Sequence, residues 1–316
     1  MRERVVGRSE LVLEIGAGQT PVGEADGKLV SVIIPVLNNQ RGLDDLLAAL
    51  AVQTWPLESL EVLVVDNLSE PPIAIDEKYS NLGRLVKCIS PGAYAARNAG
   101  VVTARGSVLA FTDSDCIPDP AWVAAGVAAL ERVQCRSVIG GEVVLSLSDR
   151  PTGVEIYQHL TGFLQKENIT RRGFSATANL FMTHSQFDLI GAFDESLLSG
   201  GDREWCWRAA RKGFRVEHVE NVIVTTKPRT SLGGAIRQAR RVAGGRFMLR
   251  RKGDLHVSPS GLEPHRGLLA AAKWILTHPN LSAAERAKVF GVASVLKAAQ
   301  TLETLRLRMG LRAERR

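Results

Sequence analysis

The chain is expected to fold as an α/β protein, a doubly wound, mostly parallel sheet flanked by helices, with a helical appendage at the C-terminus. Three observations predict this. From residue 29 onward, short apolar runs alternate with amphipathic segments in a β-α-β-α-β-α order. The run Ser107-Val108-Leu109-Ala110-Phe111 ends directly in Thr112-Asp113-Ser114-Asp115-Cys116. Two carboxylates therefore fall at the carboxyl end of a buried strand, where open α/β sheets bind ligands. Charge also divides along the chain. Residues 1–226 carry 21 Lys and Arg against 28 Asp and Glu, a net of −7, whereas residues 227–316 carry 19 against 5, a net of +14.

Taken in order, residues 1–28 read as an N-terminal extension, 29–230 as the α/β domain and 231–316 as the basic helical segment. In the extension, Val12-Leu13-Glu14-Ile15-Gly16-Ala17-Gly18 resembles the strand and Gly turn that open S-adenosylmethionine-dependent methyltransferases, but Thr20-Pro21-Val22-Gly23 follows where that fold needs a helix. The first strand is expected over 29–36, stopped near Pro35 and Asn38-Asn39. Leu43, Leu46, Leu47 and Leu50 repeat at helical spacing, predicting a helix over 42–53. Strands follow over 60–65 and 84–89, a small-residue helix over 93–103, a strand over 108–111 and a helix over 121–133. After Ser137 the alternation loosens into a mixed region reaching about residue 224. Two basic amphipathic helices are expected over 233–251 and 283–309. In the second, Val289, Val292, Leu296, Ala299, Leu302, Leu305 and Met309 form the apolar stripe, which suits either packing on the domain or contact with an anionic membrane surface.

Composition narrows the function classes. With 316 residues, 45% hydrophobic and 23% charged, the chain is long enough for one large domain plus an appendage. No stretch approaches the roughly 18 apolar residues that span a bilayer. The N-terminus Met1-Arg2-Glu3-Arg4 lacks a signal-peptide core, so cytoplasmic residence is expected. The four cysteines show neither a CxxC pair nor zinc spacing and read as reduced, buried small residues. The basic tail lacks interleaved aromatics, so no nucleic-acid partner is expected.

Polar residues collect at the strand ends: Asn38 after the first strand, Asp66 after the second, Arg97-Asn98 in the small-residue helix, and Asp113 with Asp115. Each alone suits a turn or a cap. Together they describe a site for a nucleoside diphosphate. Asp66 can accept from a base or ribose, Arg97 can donate to a base carbonyl or phosphate, and the Asp pair can hold a hard divalent ion.

The same segments carry a family resemblance. Ser31-Val32-Ile33-Ile34-Pro35-Val36-Leu37-Asn38 resembles the opening strand of the family-2 glycosyltransferases. Glu61-Val62-Leu63-Val64-Val65-Asp66-Asn67-Leu68-Ser69 is similar to their second strand, and Gly92-Ala93-Tyr94-Ala95-Ala96-Arg97-Asn98-Ala99-Gly100 to their AARNxG element. Phe111-Thr112-Asp113-Ser114-Asp115-Cys116 resembles the DXD motif. Gly200-Gly201-Asp202-Arg203-Glu204-Trp205-Cys206-Trp207-Arg208 resembles the GEDxxLxxR segment.

The resemblance implies a GT-A fold and inverting transfer from a nucleotide-sugar, a UDP-sugar first, to a sugar or lipid-linked acceptor, with Mg²⁺ or Mn²⁺. It implies that Pro35, Asn38, Asp66, Arg97 and Asp113 hold the donor, that Asp115 and Asp113 meet the metal, and that Asp202 is the base, with Glu204 as the rival carboxylate. In the element around Phe174-Ser175-Ala176-Thr177-Ala178-Asn179-Leu180 it implies that Asn179 meets the donor sugar. Trp205 and Trp207 suit either an acceptor wall or the core. Two departures stand out: Gly201 replaces the acidic neighbour of the base, and Thr226 stands where many relatives carry a metal-binding His. Lys227 and Arg229 are candidates to assist the diphosphate. Two other readings compete. A sugar nucleotidyltransferase would need a Gly-rich basic loop where Leu37-Asn38-Asn39 stands, and a non-enzymatic protein acting through its basic tail would not need the Asp residues.

Overall fold

The computed structural model describes residues 28–252, 268–311 and 313. The extension expected before residue 28 lies outside them. Four strands form the parallel half of one eight-stranded sheet: β1 (Val30–Val36), β2 (Leu60–Asp66), β3 (Gly83–Lys87) and β4 (Val108–Thr112). Every residue of β2 and β4 is buried, which is why these segments read as continuous apolar runs rather than alternating ones. The crossovers are α1 (Gln40–Leu50), which buries the predicted Leu43, Leu46, Leu47 and Leu50, and α2 (Ala93–Thr103), whose small residues let it lie close on the sheet. Along β1 the two-residue period sends Val30, Val32, Ile34 and Val36 into the layer with α1, while Ile33 meets α2 on the other face.

The mixed region resolves into the antiparallel half. β5 (Cys116–Pro118) leads into α3 (Trp122–Arg132) and β6 (Ser137–Leu145). After α4 (Gly153–Thr161) and α5 (Gln165–Arg172) come β7 (Asn179–Thr183), α6 (His184–Ile190), α7 (Gly201–Arg211) and β8 (Arg215–Thr226). The sheet order is β3-β2-β1-β4-β7-β6-β8-β5, with β7 antiparallel to both β4 and β6 and β8 parallel to β6. Reversing direction at β7 places residues 176–179 beside the carboxyl end of β4, since Asn179 pairs with Thr112. Both tryptophans of α7 are core residues: Trp205 donates to the Gly191 carbonyl and Trp207 to the Arg172 carbonyl. The acceptor-wall alternative for them is therefore set aside.

The C-terminal segment contributes α8 (Leu232–Arg251), α9 (Leu268–Leu276) and α10 (Ala283–Arg308). α8 begins at the Ser231 cap and crosses the mouth of the sheet. At Gly245 it approaches so closely that a Cβ would lie 2.2 Å from the Ser199 carbonyl oxygen, so only glycine fits. α10 packs on α8 and α4 through Leu296 and on α4 and α9 through Val289, and the buried Glu303 accepts from Arg240 of α8 and from Arg306. Of the expected stripe, Leu302, Leu305 and Met309 instead face solvent. Of the four cysteines, Cys135 is exposed and the other three are buried. No described helix is long and apolar enough to cross a membrane.

Candidate active site

The carboxyl ends of β1, β2 and β4, the start of α2, the 197–202 segment and α8 enclose a cavity of about 570 Å³. That volume lies in the range of ordinary ligand sites. Five of the sequence-predicted residues meet on its wall: Pro35, Arg97, Asp113, Asp115 and Asp202. Arg97 is buried on α2 and donates through Nη2 to Asp113 Oδ1 at 2.5 Å, with its guanidinium 5.6 Å from the Tyr94 ring centre. Its Nε has no acceptor, which leaves donor capacity unspent.

Asp115 has no salt bridge within 4.0 Å among the described residues. Burial on its protein side, and then the neighbouring Asp113 charge, push its carboxyl above the usual carboxylate range. Two hard oxygen donors of this kind, one with no ion pair among the described residues, fit Mg²⁺ or Mn²⁺. Among the described residues no group of three or more acidic, His or Cys side chains could hold a metal, so further ligands would be diphosphate oxygens and water. Thr226 donates from Oγ1 to the Asp115 carbonyl at 2.9 Å and so fixes the turn from behind. Asn39 clamps it from the front, donating to the Ser114 carbonyl and hydroxyl.

Three predicted residues are not on the cavity wall. Asp66 accepts from the backbone N–H of Ser69 and Ile73, so its carboxylate shapes the loop after β2, and Asn67 and Leu68 form the wall there. Asn38, in the left-handed region at φ 53°, ties that loop to β1 by accepting from Glu70 N. Asn179 is fully buried. It accepts from Trp122 Nε1 and donates to the Glu142 and Val222 carbonyls, leaving no amide group for a sugar. Glu204 turns away from the cavity into a bidentate pair with Arg208, which itself donates to the Ile190 and Ala192 carbonyls. Of the two rival carboxylates, only Asp202 faces the site.

Asp202 lies in the first turn of α7, where the helix dipole favours an anion. It accepts from Arg203 N, yet burial prevails and raises its carboxyl above the usual range. The hydroxyl of Tyr94 accepts from the backbone N–H of Gly201 at 2.8 Å and of Asp202 at 3.4 Å, capping α7 from α2. Burial, with Asp202 beside it, pushes the Tyr94 phenol well up, so it remains protonated and has its own proton to donate. A Cβ at Gly201 would lie 2.7 Å from the Tyr94 ring, so the ring occupies the space a side chain would need.

Sequence reasoning missed Tyr94 and three cavity residues of α8, namely Gln238, Arg241 and Val242. The only signal for Arg241 was the concentration of positive charge after residue 227. Arg229 lies near enough for Asp115, Arg237 and Arg241 to be felt. Burial and then the neighbouring arginines lower its pKa, while Asp115 raises it. Lys227 and Arg229 are both exposed, and neither is on the cavity wall.

A family model described as Glycosyl transferase family 2 matches residues 31–194. The chain belongs to glycosyltransferase family 2. Glycosyltransferase AglE of Haloferax volcanii is 34% identical over 252 residues, covering 78% of this chain and 80% of the relative. Pre-mycofactocin glycosyltransferase of Mycobacterium tuberculosis is 28% identical, covering 64% of this chain and 43% of the relative. Among solved structures, the mannosyltransferase PcManGT of Pyrobaculum calidifontis, in complex with GDP-Man and Mn²⁺, has a TM-score of 0.59 at 18% identity. The likeness covers 88% of this chain and 86% of that one and shows the shared GT-A fold. The family match ends before α7, so Tyr94 lies within it while Gly201 and Asp202, which it caps, lie beyond.

The Tyr94 contact is open to test. Gly201→Ala should lower stability by about 1–3 kcal/mol through overpacking. Tyr94→Phe should cost about 1 kcal/mol through the lost cap. In urea unfolding, the penalty of Gly201→Ala should shrink in a Tyr94→Ala background, and full additivity would rule the contact out.

Proposed function

We propose that this chain transfers a sugar from a nucleotide-diphosphate sugar to an acceptor hydroxyl, with inversion and with the help of a divalent ion. The observation that carries the reading is the convergence of Arg97, Asp113, Asp115 and Asp202 on one cavity that α8 closes with Arg241. Asp202 takes the proton from the acceptor hydroxyl. The acceptor oxygen then bonds to the anomeric carbon as the bond to the diphosphate oxygen breaks, and the diphosphate leaves with that electron pair. Arg97 and Arg241 on the cavity wall, and Arg229 within the field of Asp115 and Arg241, present positive charge to the leaving group. Asp115 and Asp113 would hold Mg²⁺ or Mn²⁺, which when bound offsets charge on the diphosphate. The raised carboxyl of Asp202 suits a base that must hold a proton transiently.

PcManGT is described with GDP-Man and Mn²⁺, which supports a metal-assisted donor complex as the starting hypothesis here. For this chain we place a UDP-sugar first, with GDP-, dTDP- and CDP-sugars as the comparison. The product class we favour is a cell-surface polysaccharide, a lipid-linked oligosaccharide or a glycolipid, made on the cytoplasmic side.

Two substitutions separate the roles. Asp202→Asn should cut turnover by about a thousandfold while donor affinity is kept. Because burial raises the Asp202 carboxyl, folding favours its protonated form. That contribution is present at low pH and is lost as pH rises through the raised value. Asp202→Asn should therefore unfold at a temperature equal to or above wild type at neutral pH, and a marked drop would contradict the burial argument. For the same reason turnover should fall off on the acid side at a pH above the ordinary Asp range. Asp115→Asn, or chelation of metal from the wild type, should weaken nucleotide-sugar binding in calorimetry by about a hundredfold, near 3 kcal/mol. If every donor is silent with both metals, the transferase reading fails.

A further inference from the structure

Helix α10 is apolar on two sides. Its inner side buries Val289 and Leu296 against α4, α8 and α9, and Leu307 is buried as well. On the outer side Leu302, Leu305 and Met309 are 66%, 48% and 74% exposed, and Val295 is 40% exposed. At about 100° per residue, these four fall within a sector of about 80°. The same sector contains Ala284, Ala287, Gly291 and Ala298, all exposed, and no polar residue. The strip runs the length of the helix, about 38 Å at 1.5 Å per residue. A surface helix ordinarily turns its polar side to water. No described segment packs on this strip.

Cations flank the strip. Lys288 borders one side, next to Arg306, which is held by Glu303. On the other side the exposed Arg308 and Lys297 follow beyond Ser294 and Thr301. They belong to the 227–316 segment, with its net +14 against −7 for the rest of the chain. A partner for this face must accept apolar side chains along a straight line and meet positive charge on both flanks. An anionic bilayer does both: the strip enters the acyl boundary while the long cationic side chains reach the headgroups on either side. We propose that the outer face of α10 docks the protein on a membrane containing anionic lipid, with the helix axis parallel to the surface. This deepens the transferase reading, on which it rests for the acceptor alone. Arg240 of α8 donates to Glu303 of α10, and the next residue, Arg241, lines the cavity. Docking through α10 therefore places α8, which carries one wall of the cavity, directly behind the membrane-bound helix, on the side of the protein nearest a lipid-linked acceptor.

The test uses the full chain in flotation with phosphatidylcholine vesicles containing about 30% phosphatidylglycerol, at low salt. Wild type should float with these vesicles and not with phosphatidylcholine alone. Leu302→Glu with Leu305→Glu should reduce binding by about tenfold or more without lowering the melting temperature, because both positions face water. Lys297→Glu with Arg308→Glu should weaken binding and flatten its salt dependence. Absence of wild-type binding, or full binding by the Leu302/Leu305 double variant, overturns the proposal. It is also overturned if light scattering shows a wild-type dimer that the same double variant converts to monomer, since the face would then belong to a second copy. Calorimetry of nucleotide-sugars on these variants keeps the two readings apart. Donor binding without flotation rejects the docking face alone, and flotation without donor binding rejects the transferase alone.

Discussion

A buried guanidinium holds the site together. Arg97 has 5% side-chain exposure and faces Asp113, whose side chain is 35% exposed. Removing an arginine from water is tolerable only against a well-placed carboxylate, and leaving the buried guanidinium unpaired is costly. The pair therefore fixes α2 against the end of β4. From α2 the Tyr94 hydroxyl reaches the first two peptide groups of α7, so the same helix also sets the position of Asp202. The turn after β4 is held independently by Asn39 and Thr226. Each cavity carboxylate is thus positioned by a neighbouring group of the fold.

The cavity keeps charge that the fold leaves only partly compensated. Asp115 and Asp202 are both held above the usual carboxylate range, chiefly by burial, while Arg229, off the cavity wall, is pulled down by partial burial and by the neighbouring Arg241 and Arg237. Like charges gathered this way oppose folding, and they persist where a ligand of opposite charge relieves them. A metal on the acidic side and a diphosphate on the basic side would relieve both at once. The helix macrodipole of α7 and the Arg97 pair lessen the imbalance without removing it.

The strands and helices of the parallel half were readable because burial on both faces writes continuous apolar runs, and crossover helices write the 3–4 spacing. The antiparallel half was less readable. β7 is five residues long and is flanked by polar segments, and β6 pairs with a strand more than 70 residues away. At the site, Arg97, Asp113, Asp115 and Asp202 were found from strand ends and family motifs. The same reasoning also drew in Asn38, Asp66 and Asn179. A polar residue after a strand either meets a ligand or satisfies its own loop, and spacing does not distinguish the two. Asn179 is the clearest case, since all of its amide groups are taken by Trp122, Glu142 and Val222. Arg241 was hidden for a different reason: nothing local marks which of many arginines on a basic helix will face a cavity formed by residues far earlier in the chain.

The most direct test of the account is anomalous diffraction from crystals of the full chain grown with Mn²⁺ and a nucleoside diphosphate. The account predicts a manganese peak ligated by Asp115, with the diphosphate between that ion and Arg97 or Arg241, and the open side of the cavity facing Asp202. A nucleotide bound elsewhere, or bound in this cavity with manganese absent from the Asp113–Asp115 turn, would contradict it.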